Sequence, residues 1–163
     1  DAIIALTVDY LSGQIDAGVD AVQLFDSWAG SLSPAQFERW VIGPNAKIVS
    51  LLKVRHPDIP IIGFPKGAGG KLPAYARETC VDAIGLDETV DPFWANANLP
   101  ESLPVQGNLD PLALIAGGVA LDDATDHIRR AFCDRPHVFN LGHGILPDTP
   151  IENVEELLRK VRG

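Results

Sequence analysis

Apolar positions along the chain follow two rhythms: a helical spacing of three and four residues, and short compact runs. Residues 2–18 place Ile3, Thr7, Tyr10, Leu11 and Gln14 on one helical face, and the pattern stops at Gly18. Ala21-Val22-Gln23-Leu24-Phe25 reads as a short buried strand. A helix start follows at Ser33-Pro34-Ala35-Gln36: serine as cap, proline at the first helical position, glutamine reaching back. Phe37, Val41, Ile48, Leu51 and Leu52 continue that helix, and Pro44 is expected to kink or split it. Further strands are expected at Pro60–Phe64, Asp82–Leu86, Leu103–Gly107 and His137–Leu141. Helices are expected over 72–79, over 122–133 with Ile128, Ala131 and Phe132 presented inward, and after a second capping box at Thr149-Pro150-Ile151-Glu152. That last helix turns Val154, Leu157, Leu158 and Val161 inward and carries Arg159, Lys160 and Arg162 near its C-terminus, where the helix dipole favours cations.

Short apolar strands alternating with amphipathic helices define an α/β chain with a parallel sheet and helices outside it. No GxGxxG turn follows the first strand, which disfavours a dinucleotide-binding sheet. A (β/α)8 TIM barrel needs roughly 250 residues, or roughly 30 per unit. Five strands in 163 residues therefore fit a partial barrel of about five βα units. No repeat, low-complexity tract or linker divides the chain, so residues 1–163 read as a portion of one domain.

Apolar residues at 46% and charged residues at 21% exclude a disordered chain. No apolar run is long enough for a membrane span, and no secretory signal is visible. A net charge of -9 argues against a nucleic acid partner, which needs clustered Lys and Arg. Cys80 and Cys133 have no CxxC spacing; the expectation is two reduced cysteines at core or subsurface positions in the cytosol. The chain contains no methionine and begins at Asp1, so an upstream segment is expected.

Polar residues follow every expected strand: Asp26 and Ser27, Lys66, Asp87, Asn108 and Asp110, and His143. Barrel active sites are built at such C-terminal strand ends, although polar loops also arise by chance. His143, between two glycines, is the sharpest candidate, able to donate to a carboxylate or pass a proton near neutral pH. The alternative for it is a loop histidine capping carbonyls. His56, His127 and His137 fall on expected helix or loop surfaces. Ser27 lacks a GxSxG elbow and reads as a hydroxyl that hydrogen-bonds a ligand rather than as a nucleophile. Trp28 reads as loop packing or as a flank for an aromatic ligand. Lys66 lies in a glycine-rich run without P-loop spacing, so the run reads as a mobile loop at the barrel mouth. Asp110 before Pro111 reads as a helix cap.

Three strings in order, Val22-Gln23-Leu24-Phe25-Asp26-Ser27-Trp28-Ala29-Gly30, Gln106-Gly107-Asn108-Leu109-Asp110-Pro111 and Asn140-Leu141-Gly142-His143-Gly144-Ile145-Leu146-Pro147-Asp148, closely resemble the uroporphyrinogen decarboxylase family. The helix Ile151 to Val161 resembles the family's C-terminal helix, so the likeness covers essentially the whole chain, as the C-terminal part of such an enzyme. The resemblance implies a (β/α)8 barrel, a homodimer at full length, and a carboxy-lyase that uses no metal and no organic cofactor. It implies uroporphyrinogen as substrate, whose four acetate side chains become methyl groups to give coproporphyrinogen. The ring acts as electron sink: a pyrrole is protonated, carbon dioxide leaves, and the enamine-like carbon is reprotonated. Carried over by position, Ser27 and His143 are substrate contacts and Phe25 packs against the macrocycle. The family's substrate-gripping arginines, its key aspartate and its substrate-binding tyrosine have no counterpart in these residues, so the chain alone is expected to be inactive. A partial barrel is also expected to self-associate through its open strand edges.

Two rivals remain open. The methylcobamide:coenzyme M methyltransferases share the barrel and hold zinc through histidine and cysteines. Here Phe64-Pro65-Lys66-Gly67 offers no His-x-Cys, and His143 stands where a cysteine is expected. The other rival is a half barrel that binds a tetrapyrrole without turnover.

Overall fold

A computed structural model describes residues 1–163. The chain forms two compact units, Asp1–Ile84 and Gly85–Gly163.

The first unit opens with helix α1 (Ala2–Asp16) and strand β1 (Val22–Asp26). Helix α2 (Pro34–Phe37) passes through a π-helical stretch, Glu38–Ile42, into α3 (Gly43–Arg55). Pro44 has no N–H to offer the carbonyl one turn back, which gives the break a cause. Asn45 Nδ2 supplies a donor there instead, reaching Val41 O at 2.8 Å. Strand β2 (Ile61–Pro65) and helix α4 (Leu72–Thr79) complete the unit with the start of β3 (Ala83–Gly85). β1 pairs parallel with β2, Val22 opposite Ile61, and β2 pairs parallel with β3, Gly63 opposite Ile84. Phe37, Val41, Leu52, Ile61, Leu72 and Tyr75 form the core and are almost wholly buried. Asp82 ties the start of β2 down, accepting from Ile61 N at 2.7 Å and pairing with Lys53 at 2.8 Å.

In the second unit, α5 (Pro92–Asn98) precedes β4 (Val105–Leu109). After β4 come α6 (Pro111–Ala116), α7 (Gly118–Ala131), β5 (His137–Leu141) and α8 (Ile151–Arg162). β4 and β5 pair parallel, Val105 opposite His137, and Leu86 N donates to Gln106 O at 2.8 Å. Leu86, Val105, Leu109, Leu114, Leu121, Ile128 and Phe132 fill the interior. Asn153 of α8 donates to Leu114 O and Ile115 O at 2.9 and 3.0 Å, satisfying carbonyls at the end of α6. No helix is long and apolar enough to cross a membrane.

All five expected strands form, four of them displaced by a residue or two at one end or both. Several local expectations are corrected. α1 buries Val8, Leu11 and Ser12, whereas Ile3 and Tyr10 are exposed; the packed face is set by α3, not by the most apolar stripe. Ser33 occupies its cap position without a side-chain hydrogen bond, and Gln36 accepts from Trp40 Nε1 at 2.9 Å rather than reaching back. Pro150, not Thr149, occupies the cap of α8, so the second capping box does not form. Leu51 and Leu158 face solvent. Both cysteines are exposed. Cys80 ends α4 in a left-handed conformation, and Cys133 lies past the end of α7, so neither is on a packed face.

Candidate functional site

In the first unit the candidate residues cluster where β1 ends. Phe25 is 70% exposed and meets the ring of Phe64 edge-on at 5.7 Å. Asp26 is half-buried, and its carboxylate accepts from the backbone N–H groups of Trp28 and Ala29. Burial raises its pKa above the ordinary value, with those two hydrogen bonds pulling the other way. Ser27 and Trp28 are exposed on the turn so formed.

That turn is bound to the loop after β2. Lys66 N donates to Asp26 O at 3.0 Å and Gly30 N to Lys66 O at 2.9 Å. Gly30 is required for the approach: a Cβ there would stand 2.5 Å from Gly67 O. Lys71 Nζ donates to Gly30 O at 3.2 Å and Leu32 O at 2.9 Å, and lies 4.8 Å from the Phe37 ring centre. The glycine-rich run expected as a mobile loop is thus anchored at several points, through partners separated by some forty residues that no local pattern reveals.

In the second unit the ends of β3, β4 and β5 are knit by buried polar groups. Asp87 is 2% exposed and accepts from Thr89 N at 3.0 Å and from the Thr89 hydroxyl. Asn108, equally hidden, donates to Asp87 O at 2.9 Å and Val90 O at 2.7 Å. Asp110 caps α6 as expected, accepting from Leu112 N at 2.8 Å. Gly142 N donates to Leu109 O at 2.8 Å, and a Cβ at Gly142 would strike the backbone of Glu88. His143 follows immediately and is exposed. Asp87 and Asn108 therefore act as scaffold, and His143 is the side chain presented outward.

An open cavity of about 970 Å³ also lies in this unit, lined by Glu88, Asn108 and Asp110 and by Asp126, His127 and Arg130 of α7. None of Ser27, Phe25 or His143 lines it. The strand ends are the better candidate, because in each unit the motif residues lie at or just past them, while the cavity is largely one helix surface. His127 stands 3.9 Å from Asp91 at its rim. His137 is half-buried rather than on the surface; its Nε2 donates to Gly107 O at 2.7 Å, which fixes the proton on Nε2. No group of three or more His, Cys, Asp or Glu side chains is arranged to hold a metal ion.

Parallel strand–helix units with polar residues gathered at the C-terminal strand ends define an α/β protein of the (β/α)8-barrel kind. A family model described as uroporphyrinogen decarboxylase (URO-D) matches residues 1–163. The chain is 76% identical over 163 residues to the uroporphyrinogen decarboxylase of Sphingopyxis alaskensis, covering all of this chain and 48% of that protein. It is 73% identical over 163 residues to that of Rhizorhabdus wittichii, again all of this chain and 47% of the relative. Identity to that of Granulibacter bethesdensis is 53% over 156 residues, 96% of this chain and 46% of the relative. The chain belongs to the uroporphyrinogen decarboxylase family. It spans about half the length of the curated relatives it matches.

Proposed function

We propose that this chain supplies part of the substrate site of a uroporphyrinogen decarboxylase, a carboxy-lyase that converts the four acetate side chains of uroporphyrinogen III to methyl groups in porphyrin biosynthesis. The observation that carries the reading is the family match along the whole chain, at high identity to proteins of that name. Residues 1–163 are the C-terminal portion of one barrel domain. The working enzyme is a cytoplasmic homodimer that needs no cofactor and has no nucleic acid partner, in keeping with a net charge of -9.

The substrate carries eight carboxylates, so it needs hydrogen-bond donors around a flat apolar body. The Ser27 hydroxyl is exposed and suited to donate to a carboxylate. His143 is exposed after a pinned strand end, and an imidazole N–H there serves the same purpose. Phe25 offers an exposed ring face to the macrocycle. Each acetate loses carbon dioxide after ring protonation, and a proton restores the carbon as a methyl group, so no redox partner enters.

The test is turnover by the polypeptide at the length of its relatives. Ser27→Ala and His143→Asn are each expected to lower kcat/KM by about tenfold, the effect of losing a hydrogen bond to a charged group. Unchanged kcat/KM in both variants would contradict their assignment. Porphyrin binding with no decarboxylation by the unmodified enzyme would favour a non-catalytic tetrapyrrole-binding barrel.

A further inference from the structure

Ser27 and Trp28 are exposed, so packing contributes little to fixing where they stand. Trp28 is 81% exposed, far more than an indole held by its neighbours. Their placement comes instead from the Asp26 carboxylate, which accepts from Trp28 N and Ala29 N, from the buried Ala29, and from the backbone on either side. On the N-terminal side, Asp26 is fixed by its strand register opposite Pro65 and by Lys66 N. On the C-terminal side the chain at Gly30 to Leu32 has left the sheet. Its carbonyls face one cation, the ammonium of Lys71, which donates to Gly30 O and Leu32 O at 3.2 and 2.9 Å. Lys71 is itself half-buried and lies over the ring of Phe37, a residue 1% exposed. The ammonium is therefore held by a core aromatic and two carbonyls, with no carboxylate partner among these contacts. Charge-assisted hydrogen bonds of this kind are the stronger sort, and a cation over an aromatic ring adds to them.

We propose that Lys71 is a positioning residue: its ammonium clamps the turn that carries Ser27 and Trp28, and so sets the Ser27 hydroxyl for a carboxylate of the substrate. The ligand-directed half rests on the substrate reading above; the clamp itself does not. Neither motif nor spacing marks Lys71, because its partners lie about forty residues away on the preceding loop.

The test uses hydrogen exchange and binding of uroporphyrin, the stable oxidised form of the substrate, in the polypeptide at the length of its relatives. Lys71→Met keeps the stem over Phe37 and removes the donors. Exchange at the amides of Gly30, Ser31 and Leu32 is expected to speed up by about tenfold or more, while that of α3 amides such as Leu52 stays unchanged. Uroporphyrin binding is expected to weaken about as much as in Ser27→Ala, by about tenfold. Lys71→Arg, which retains donors, should restore both. Lys47→Met removes one exposed charge from α3 and controls for simple attraction of an anionic porphyrin; it should weaken binding far less.

Unchanged exchange at Gly30 to Leu32 would overturn the clamp. Faster exchange with unchanged binding would overturn the positioning role and leave Lys71 a structural residue. If Ser27→Ala binds uroporphyrin as well as the unmodified polypeptide of that length, or that polypeptide does not bind it, the substrate reading and the ligand-directed role fall together, while exchange still judges the clamp. If Lys71→Met does not fold, Lys71→Gln takes its place: its shorter, uncharged amide removes the charge assistance, so faster exchange and weaker binding are still expected, in smaller degree, and unchanged values of both overturn the proposal.

Discussion

His137 is a histidine kept neutral by its surroundings. Burial is the main cause of its lowered pKa; Arg135 adds repulsion, and the Gly107 carbonyl works in the opposite direction. The unfolded chain titrates this ring near 6.5, so below that pH the unfolded state binds more protons than the folded one. Stability contributed by the neutral ring is therefore present above pH 6.5 and is lost as pH falls from there through the lowered folded value. The expected outcome is a urea midpoint that drops between pH 7.5 and 5, with a shallower drop in His137→Gln, whose amide cannot titrate. Equal slopes in the two proteins would show that the ring does not titrate differently on folding. The residue scale is also where sequence reading was weakest. His137 was expected on the surface because nothing local records that a carbonyl on β4 would meet it. The two cysteines were expected inside because free cysteine usually is, yet both follow helix ends, where the chain leaves the packed face.

At the scale of elements, much of the order was legible. The run Ile61-Ile62-Gly63-Phe64 buries both faces, as a strand within a parallel sheet does, so this strand announced itself by apolar content alone. The cap that was legible is Asp110, an acidic side chain before proline; Asp91 has the same arrangement but was not read from the sequence. Asp91 and Asp110 both accept from a first-turn N–H, whereas Ser33 and Thr149, placed as well by pattern, do not act as caps. The difference lies in tertiary placement, which a four-residue string does not carry. Removing the Asp110 carboxylate tests the cap directly. Asp110→Ala is expected to lose about 1 kcal/mol of stability and Asp110→Asn a few tenths at most, read from urea unfolding. An alanine variant as stable as the parent would mean that the hydrogen bond to Leu112 N contributes nothing. The α1 helix shows the same limit from the other side. Its apolar stripe through Ile3, Leu6 and Tyr10 is exposed, and the helix packs on α3 through Val8 and Leu11.

For the molecule as a whole, the barrel repeat and the family were both legible, the first from the spacing of strands and the second from three strings at strand ends. The candidate site was legible in part. Phe25, Ser27 and His143 are all exposed at or just past strand ends, as a ligand-facing role requires. The anchors behind Ser27, above all Lys71 and the Gly30–Gly67 approach, were not, because they depend on contacts between loops. As proposed, these residues belong to a decarboxylase whose other substrate-gripping groups lie outside them. The most direct measurement is coproporphyrinogen formed from uroporphyrinogen, assayed for the isolated 163-residue chain and for a polypeptide extended to the length of its relatives. Product is expected from the extended polypeptide and none from the isolated chain. Turnover by the isolated chain, or no carbon dioxide released by the extended one, would contradict the proposal.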